Sequence, residues 1–121
     1  KGVTRILRTA SEMAVEYRER MRAGNGTNEI KNLFKQDELK GKARLVAEIT
    51  IPPGGSIGFH QHDQEEEIFY FLSGRGRVTD QDVAREVTAG DAMLTGGGNG
   101  HAVENTGTEP LVMLAVILVY G

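Results

Sequence analysis

The 121 residues contain no cysteine. That excludes disulfides and every metal site built on thiolate, and it fits a reducing compartment, so the expected location is the cytoplasm. The longest apolar run, Leu111 to Tyr120, is too short to span a bilayer, and no secretory signal is visible. Neither sign of charge dominates: 14 Lys and Arg face 17 Asp and Glu, for a net charge of −3. With the basic residues scattered, there is no electrostatic footprint for nucleic acid or an anionic membrane. The Gly96 to Gly100 cluster lacks the Lys-Ser/Thr and the following helix of a phosphate-binding loop, so it reads as a turn. The chain starts at Lys1 rather than methionine, so the natural N terminus is expected to lie upstream.

What is present suits one domain with one core. Hydrophobic residues make up 39% and charged residues 26%, both ordinary for a globular protein. Sixteen glycines fall mostly where turns are expected. Val3 to Leu7 reads as a short first strand. Over Ser11 to Arg22 two periods compete. Met13, Ala14, Tyr17 and Met21 share a helical face, whereas Met13, Val15 and Tyr17 alternate as in a strand. This stretch is a short helix or an extended arm, broken at Ala23-Gly24-Asn25-Gly26. The division expected is an N-terminal arm over residues 1–26, packed on the rest or on a partner subunit, and a β-barrel over residues 27–121.

From Thr27 onward the pattern is β. Glu29 to Phe34 is a strand and Lys35 to Lys42 a polar connection. Over Arg44 to Ile51, Leu45, Ala47, Ile49 and Ile51 face one way while Arg44, Glu48 and Thr50 face the other. Further short strands follow at Ile57 to Gln61, Glu67 to Leu72, Gly76 to Thr79, Ala84 to Val87, Asp91 to Thr95, His101 to Asn105 and Leu111 to Val119. Short strands at near-regular spacing indicate an all-β sandwich or barrel. The last one is apolar on both faces, which an antiparallel strand with one wet face would not be. Its outer face should be covered by the N-terminal segment or by a second subunit, and a homodimer is favoured.

The chemistry concentrates in Gly54 to Gly74 and Gly90 to Asn105. His60 and His62 stand at i and i+2, so a strand presents both imidazoles to one side. Glu67 opens the apolar strand Ile68 to Leu72 and shares its face with Phe69 and Phe71, and a hairpin brings it back beside the histidines. Glu65 and Glu66 compete with it, and Glu66 remains an alternative. His101 follows the glycine cluster, with Val103 and Asn105 on its side. A metal site of His60, His62, Glu67 and His101 is predicted. Three imidazoles and a carboxylate suit a divalent transition ion, with Mn, Fe, Co, Ni, Zn and Cu all compatible. Four protein ligands leave an octahedral ion two open positions for a small oxygen-rich molecule.

At this point the chain resembles the cupin superfamily. Gly54, His60, His62, Glu67 and Gly74 match the first family motif, Gly-x5-His-x-His-x3–4-Glu-x6-Gly. Gly90, Gly98, His101 and Asn105 match the second, Gly-x5-Pro-x-Gly-x2-His-x3-Asn, with Gly96 where proline is usual. The resemblance implies a double-stranded β-helix barrel, jelly-roll-like, with the metal inside one end. Ile-Pro-Pro-Gly-Gly-Ser-Ile-Gly before the histidines and Glu-Asn-Thr-Gly after His101 are similar to small one-domain cupins of the oxalate decarboxylase-like kind. That implies Mn or Fe and a small carboxylate as partner. Two-domain oxalate decarboxylases carry a mobile lid with a glutamate as proton donor, which has no counterpart in this sequence. The enzyme readings are therefore a decarboxylase, an oxidase or a dioxygenase, beside a non-catalytic binding or sensor module; no general acid or base is assigned. Phe69, Phe71 and Val103 are candidates for a substrate pocket, though core or wall packing is the plainer role for the two phenylalanines. Glu65 and Glu66 read as a solvated loop, and Arg44, Glu48 and Arg75 as surface charges.

Overall fold

The structure, a computed structural model, describes residues 5–121. The expected strand over Val3 to Leu7 lies partly outside that range, and its described part, Arg5 to Leu7, is not in a strand. Ten strands follow: β1 (Ala14–Glu19), β2 (Thr27–Phe34), β3 (Ala43–Ile51), β4 (Ser56–Gln61), β5 (Glu65–Ser73), β6 (Arg75–Asp80), β7 (Val83–Thr88), β8 (Ala92–Gly96), β9 (Gly100–Asn105) and β10 (Leu111–Val119). One sheet has the order β1-β2-β3-β10-β5-β8 and the other β4-β9-β6-β7, with every pairing antiparallel. The fold is the expected all-β jelly-roll-like one, built as two open sheets face to face rather than one closed hydrogen-bonded ladder. No described helix is long and apolar enough to cross a membrane.

Alternation along the strands builds the core. Ile30, Ala47, Ile49, Ile51, Phe69, Phe71, Leu111, Met113 and Ala115 come from the larger sheet. Ile57, Val78 and Val103 meet them from the smaller one. Each of these side chains is almost wholly removed from water, which stabilises the fold by about 1.5–3 kcal/mol for every large one. β10 lies in the middle of its sheet, between β3 and β5. Its Leu111, Met113, Ala115 and Ile117 are buried, while Val112, Leu114, Val116 and Leu118 on the other face are half-buried.

The competition between helix and strand over Ser11 to Arg22 resolves in favour of the strand. β1 pairs with β2 at the edge of the larger sheet, flanked by single 3-10 turns at Ala10–Glu12 and Met21–Ala23. The backbone ladder with β2 outweighs the helical periodicity, because a helix of that length is marginal in water on its own. The arm thus extends the sheet sideways, and β1 does not cover the outer face of β10.

Asn105 ties the two halves together. Its side chain donates to the carbonyls of Ile51 (2.9 Å) and Glu109 (2.8 Å) and accepts from the Gly107 amide (2.9 Å). Its backbone amide donates to the Gly55 carbonyl at 2.9 Å. One buried side chain therefore fixes the turn between β3 and β4 against the loop between β9 and β10.

Candidate metal centre

His60 and His101 are register partners across β4 and β9, so one sheet presents both imidazoles side by side. His62 lies just past the end of β4 and is held by the glycine turn: its amide donates to the Asn99 carbonyl (3.0 Å), and the Gly98 amide donates to the His62 carbonyl (2.9 Å). Gly98 sits at φ 93°, a left-handed conformation that disfavours any residue with a Cβ. Glu67 arrives on β5 from the facing sheet. One ligand-type atom from each of the four residues lies within 4.8 Å of all the others. His62 Nε2 and His101 Nε2 are 3.1 Å apart, and His101 Nε2 and His60 Nε2 3.2 Å. Glu67 Oε1 stands 2.9 Å from His62 Nε2 and 3.1 Å from His101 Nε2. His62, Glu67 and His101 are buried and His60 is half-buried.

The outward side of each ring sets what the inward side offers. His60 Nδ1 is 2.8 Å from the Gly58 carbonyl, which only accepts, so the proton sits on Nδ1 and Nε2 is left with a lone pair. His62 Nδ1 is 2.5 Å from Glu65 Oε2, with the same consequence. His101 Nδ1 meets the Thr95 hydroxyl at 3.0 Å, and Phe69 stacks on its ring at 4.8 Å between centroids. Electron pairs from imidazole and carboxylate thus converge at one point. A ring proton shared among them, or a cation at that point, compensates them. The donor set fits a divalent transition metal, since neutral imidazole nitrogen and carboxylate oxygen are its usual ligands.

The titration behaviour follows. Burial pushes the His60 imidazole below its usual value, reinforced by the neighbouring His101, His62 and Arg22 charges and opposed by the Gly58 carbonyl. His62 is raised, first by its contact with Glu67 and then by Glu65. Burial alone would raise Glu67, but the contacts with His101 and His62 outweigh it and its carboxyl falls below the usual range.

Glu65 corrects the sequence reading. β5 begins at Glu65 rather than Glu67, so Glu65 is a half-buried strand residue and not part of a solvated loop. Arg44 grips it with two bonds, Nε at 2.7 Å and Nη2 at 2.9 Å. That pair, with His62 behind it, holds the Glu65 carboxyl at about 2. Arg44 is correspondingly no idle surface charge. Glu66 is also in β5 but stands outside the cluster, where the Tyr120 hydroxyl donates to it at 3.3 Å. Alternation explains the difference, because consecutive strand residues point to opposite faces.

A cavity of about 100 Å³ opens beside the cluster. His60, His62 and Glu67 line it together with Arg18, Arg22 and Arg44. Phe69 forms part of its wall, whereas Phe71 and Val103 lie in the core away from that lining. Arg18 and Arg22 were not singled out from the sequence. The signal available was the basic alternation Arg18, Arg20, Arg22 at strand spacing. Glu48 lies 3.9 Å from Lys31, and Arg75 is outside the cavity lining. A larger groove of about 460 Å³, lined by Asp80, Arg85, Glu86 and Asp91 among others, has no such convergent donors among the described residues.

A model of the cupin domain matches residues 47–117, well over half of the chain. The chain belongs to the cupin family. This cupin is 39% identical to an oxalate-binding protein from Thermotoga maritima over 119 residues, 98% of each chain. Its fold superposes with a TM-score of 0.90 on a crystal structure described as a predicted oxalate decarboxylase, also from Thermotoga maritima. That match has 38% identity and covers 94% of this chain and 99% of the other. It is also 37% identical over 80 residues to the oxalate decarboxylase OxdC of Bacillus subtilis, but spans only 21% of that protein.

The Arg44–Glu65 pair has a pH signature. The Glu65 carboxyl titrates lower in the folded chain than in the unfolded one, so its contribution to stability is complete above the unfolded value and is lost as pH falls toward 2. In urea denaturation of metal-free protein, Glu65→Gln should be less stable than wild type between pH 5 and 7, and the two curves should converge as pH approaches 2. A gap that stays constant across that range would contradict the assignment.

Proposed function

We propose that this cupin binds one divalent transition metal through His60, His62, Glu67 and His101 and uses it to hold a small carboxylate of the oxalate type. The observation that carries the reading is the convergence of four donors, three of which line a cavity whose other polar side chains, among the described residues, are arginines. The metal would supply Lewis acidity and, as Mn or Fe, redox capacity. The residues do the rest. Gly58, Glu65 and Thr95 hold the three rings in orientation. Arginine charge favours an anion. A cavity of about 100 Å³ suits a ligand of a few heavy atoms.

Binding is favoured over turnover. Decarboxylation needs a proton donor, and among the described residues Glu67 is the only carboxylate lining the cavity. As one of the four donors it is committed to the cluster. A binding or sensing role asks nothing more of the site, and the near full-length relative is named for binding. A decarboxylase or dioxygenase remains the second reading, because part of the chain also matches oxalate decarboxylases. Mn and Fe are the preferred ions, and the arm over residues 1–26 is taken as an appendage of the barrel domain over residues 27–121.

A homodimer is proposed as well. Val112, Leu114, Val116 and Leu118 stay half-buried on the outer face of the larger sheet, beside the exposed Tyr70, Leu72 and Leu94 on β5 and β8. A patch of that kind is what a second subunit covers. Light scattering on the eluting protein should give twice the 13.2 kDa chain mass, and a monomer at every concentration would reject the dimer.

Purified protein should carry about one transition metal per chain by elemental analysis. It should bind oxalate calorimetrically, without carbon dioxide or formate appearing under air. His101→Ala should lose the metal and the oxalate binding while keeping its β circular dichroism. Full metal occupancy in that variant would remove the basis for the site, and sustained product formation by the wild type would favour the enzyme reading.

A further inference from the structure

Three arginines line the cavity, but they are not equivalent. Arg44 is engaged by Glu65 through two bonds and serves as a support for His62. Arg18 and Arg22 belong to the N-terminal arm. Register puts Arg18 opposite Asn28 and Glu16 opposite Ile30. Paired residues share a face, and Asn28 and Ile30 are buried, so Arg18 stands on the interior side of the sheet. Among the described residues its one ion pair is an exposed contact with Glu16 at 3.3 Å, of the kind that holds little. No ion pair engages Arg22 among the described residues.

The backbone carrying Arg22 is unusual. Arg20 (φ 50°), Arg22 (φ 53°) and Ala23 (φ 64°) are all left-handed, though each bears a Cβ. Such conformations are costly and persist only where the surroundings impose them. Here the surroundings do. The Arg20 amide donates to the Gly26 carbonyl at 2.9 Å, and the Ala23 amide to the Arg20 carbonyl at 3.0 Å. Asn25 and Ser56 are joined twice: the Ser56 amide donates to the Asn25 carbonyl (2.8 Å), and the Asn25 amide to Ser56 Oγ (2.9 Å). The Arg22 carbonyl is packed so closely on Gly58 that a methyl group there would collide with it. Gly58 is also the residue whose carbonyl orients the His60 ring. One residue of β4 therefore sets both the imidazole and the seat of the arginine turn.

We infer that Arg22, assisted by Arg18, is the specificity determinant for the ligand's second carboxylate, so that the cavity selects small dicarboxylates over monocarboxylates. The inference rests on the reading of the cluster as a carboxylate-binding metal centre. One carboxylate of the ligand engages the metal end. The other meets the guanidinium of Arg22, a planar donor matched to a carboxylate and carried on the backbone of a locked turn. A monocarboxylate such as formate has nothing to place there. Arg20 belongs to the same turn but does not line the cavity, which makes it an internal control for net charge.

The test uses full-length protein loaded with Mn²⁺, titrated calorimetrically with oxalate and with formate, with metal content measured in parallel. Arg22→Gln should weaken oxalate binding about tenfold or more, leave formate within about twofold, and keep the metal content of wild type. Arg18→Gln should show a smaller loss in the same direction, and Arg20→Gln should leave both ligands within about twofold. Unchanged oxalate affinity in Arg22→Gln would overturn the inference while leaving the metal centre intact. So would an equal loss in Arg20→Gln, because the effect would then be general charge. Metal-loaded wild type that binds neither acid would instead overturn the carboxylate reading, and this inference with it.

Discussion

Convergence of electron pairs is the constraint on which the structure turns. Three imidazole nitrogens and a carboxylate oxygen meet with separations near 3 Å, two of the rings having their protons drawn to the far side. Compensation is required at that point, because buried electronegative atoms without a partner are strongly unfavourable. Protons can meet the requirement in the metal-free chain, and a cation meets it with one centre. A metal bound there would displace protons from the cluster.

Much of the architecture keeps that geometry from relaxing. His60 and His101 are fixed by strand register, His62 by two backbone bonds to the glycine turn, and Glu67 by the facing sheet. Since the donors come from two sheets, the core between those sheets sets the size of the cage. Behind the rings stand a carbonyl, a hydroxyl and a carboxylate, the last gripped by Arg44. Partners of this kind orient imidazoles, and their loss commonly weakens a metal site.

The sequence revealed the strands and the four converging residues more readily than it revealed their supports. Period-2 alternation marked β3, and the boundaries of β10 matched residue for residue. His-x-His is legible because strand geometry puts i and i+2 on one side, and Glu67 because it shares a parity with Phe69 and Phe71. That same parity argument extends to Glu65, which the acidic run disguised as loop. Its role depends on Arg44, distant in sequence and brought near by the pairing of β3 with β10 and of β10 with β5. The arm was ambiguous for a different reason. Its residues satisfy both periods, and the choice was made by an available edge on β2. Asn105 was visible as part of a motif, but its work in tying two loops together is tertiary information.

The most direct measurement is a crystal structure of Mn²⁺-loaded protein with an anomalous difference map. The account predicts one strong peak per chain, about 2.0–2.3 Å from Nε2 of His60, His62 and His101 and from Oε1 of Glu67. A cluster without a peak, or a peak bound by Glu66 or by surface carboxylates instead, would contradict it.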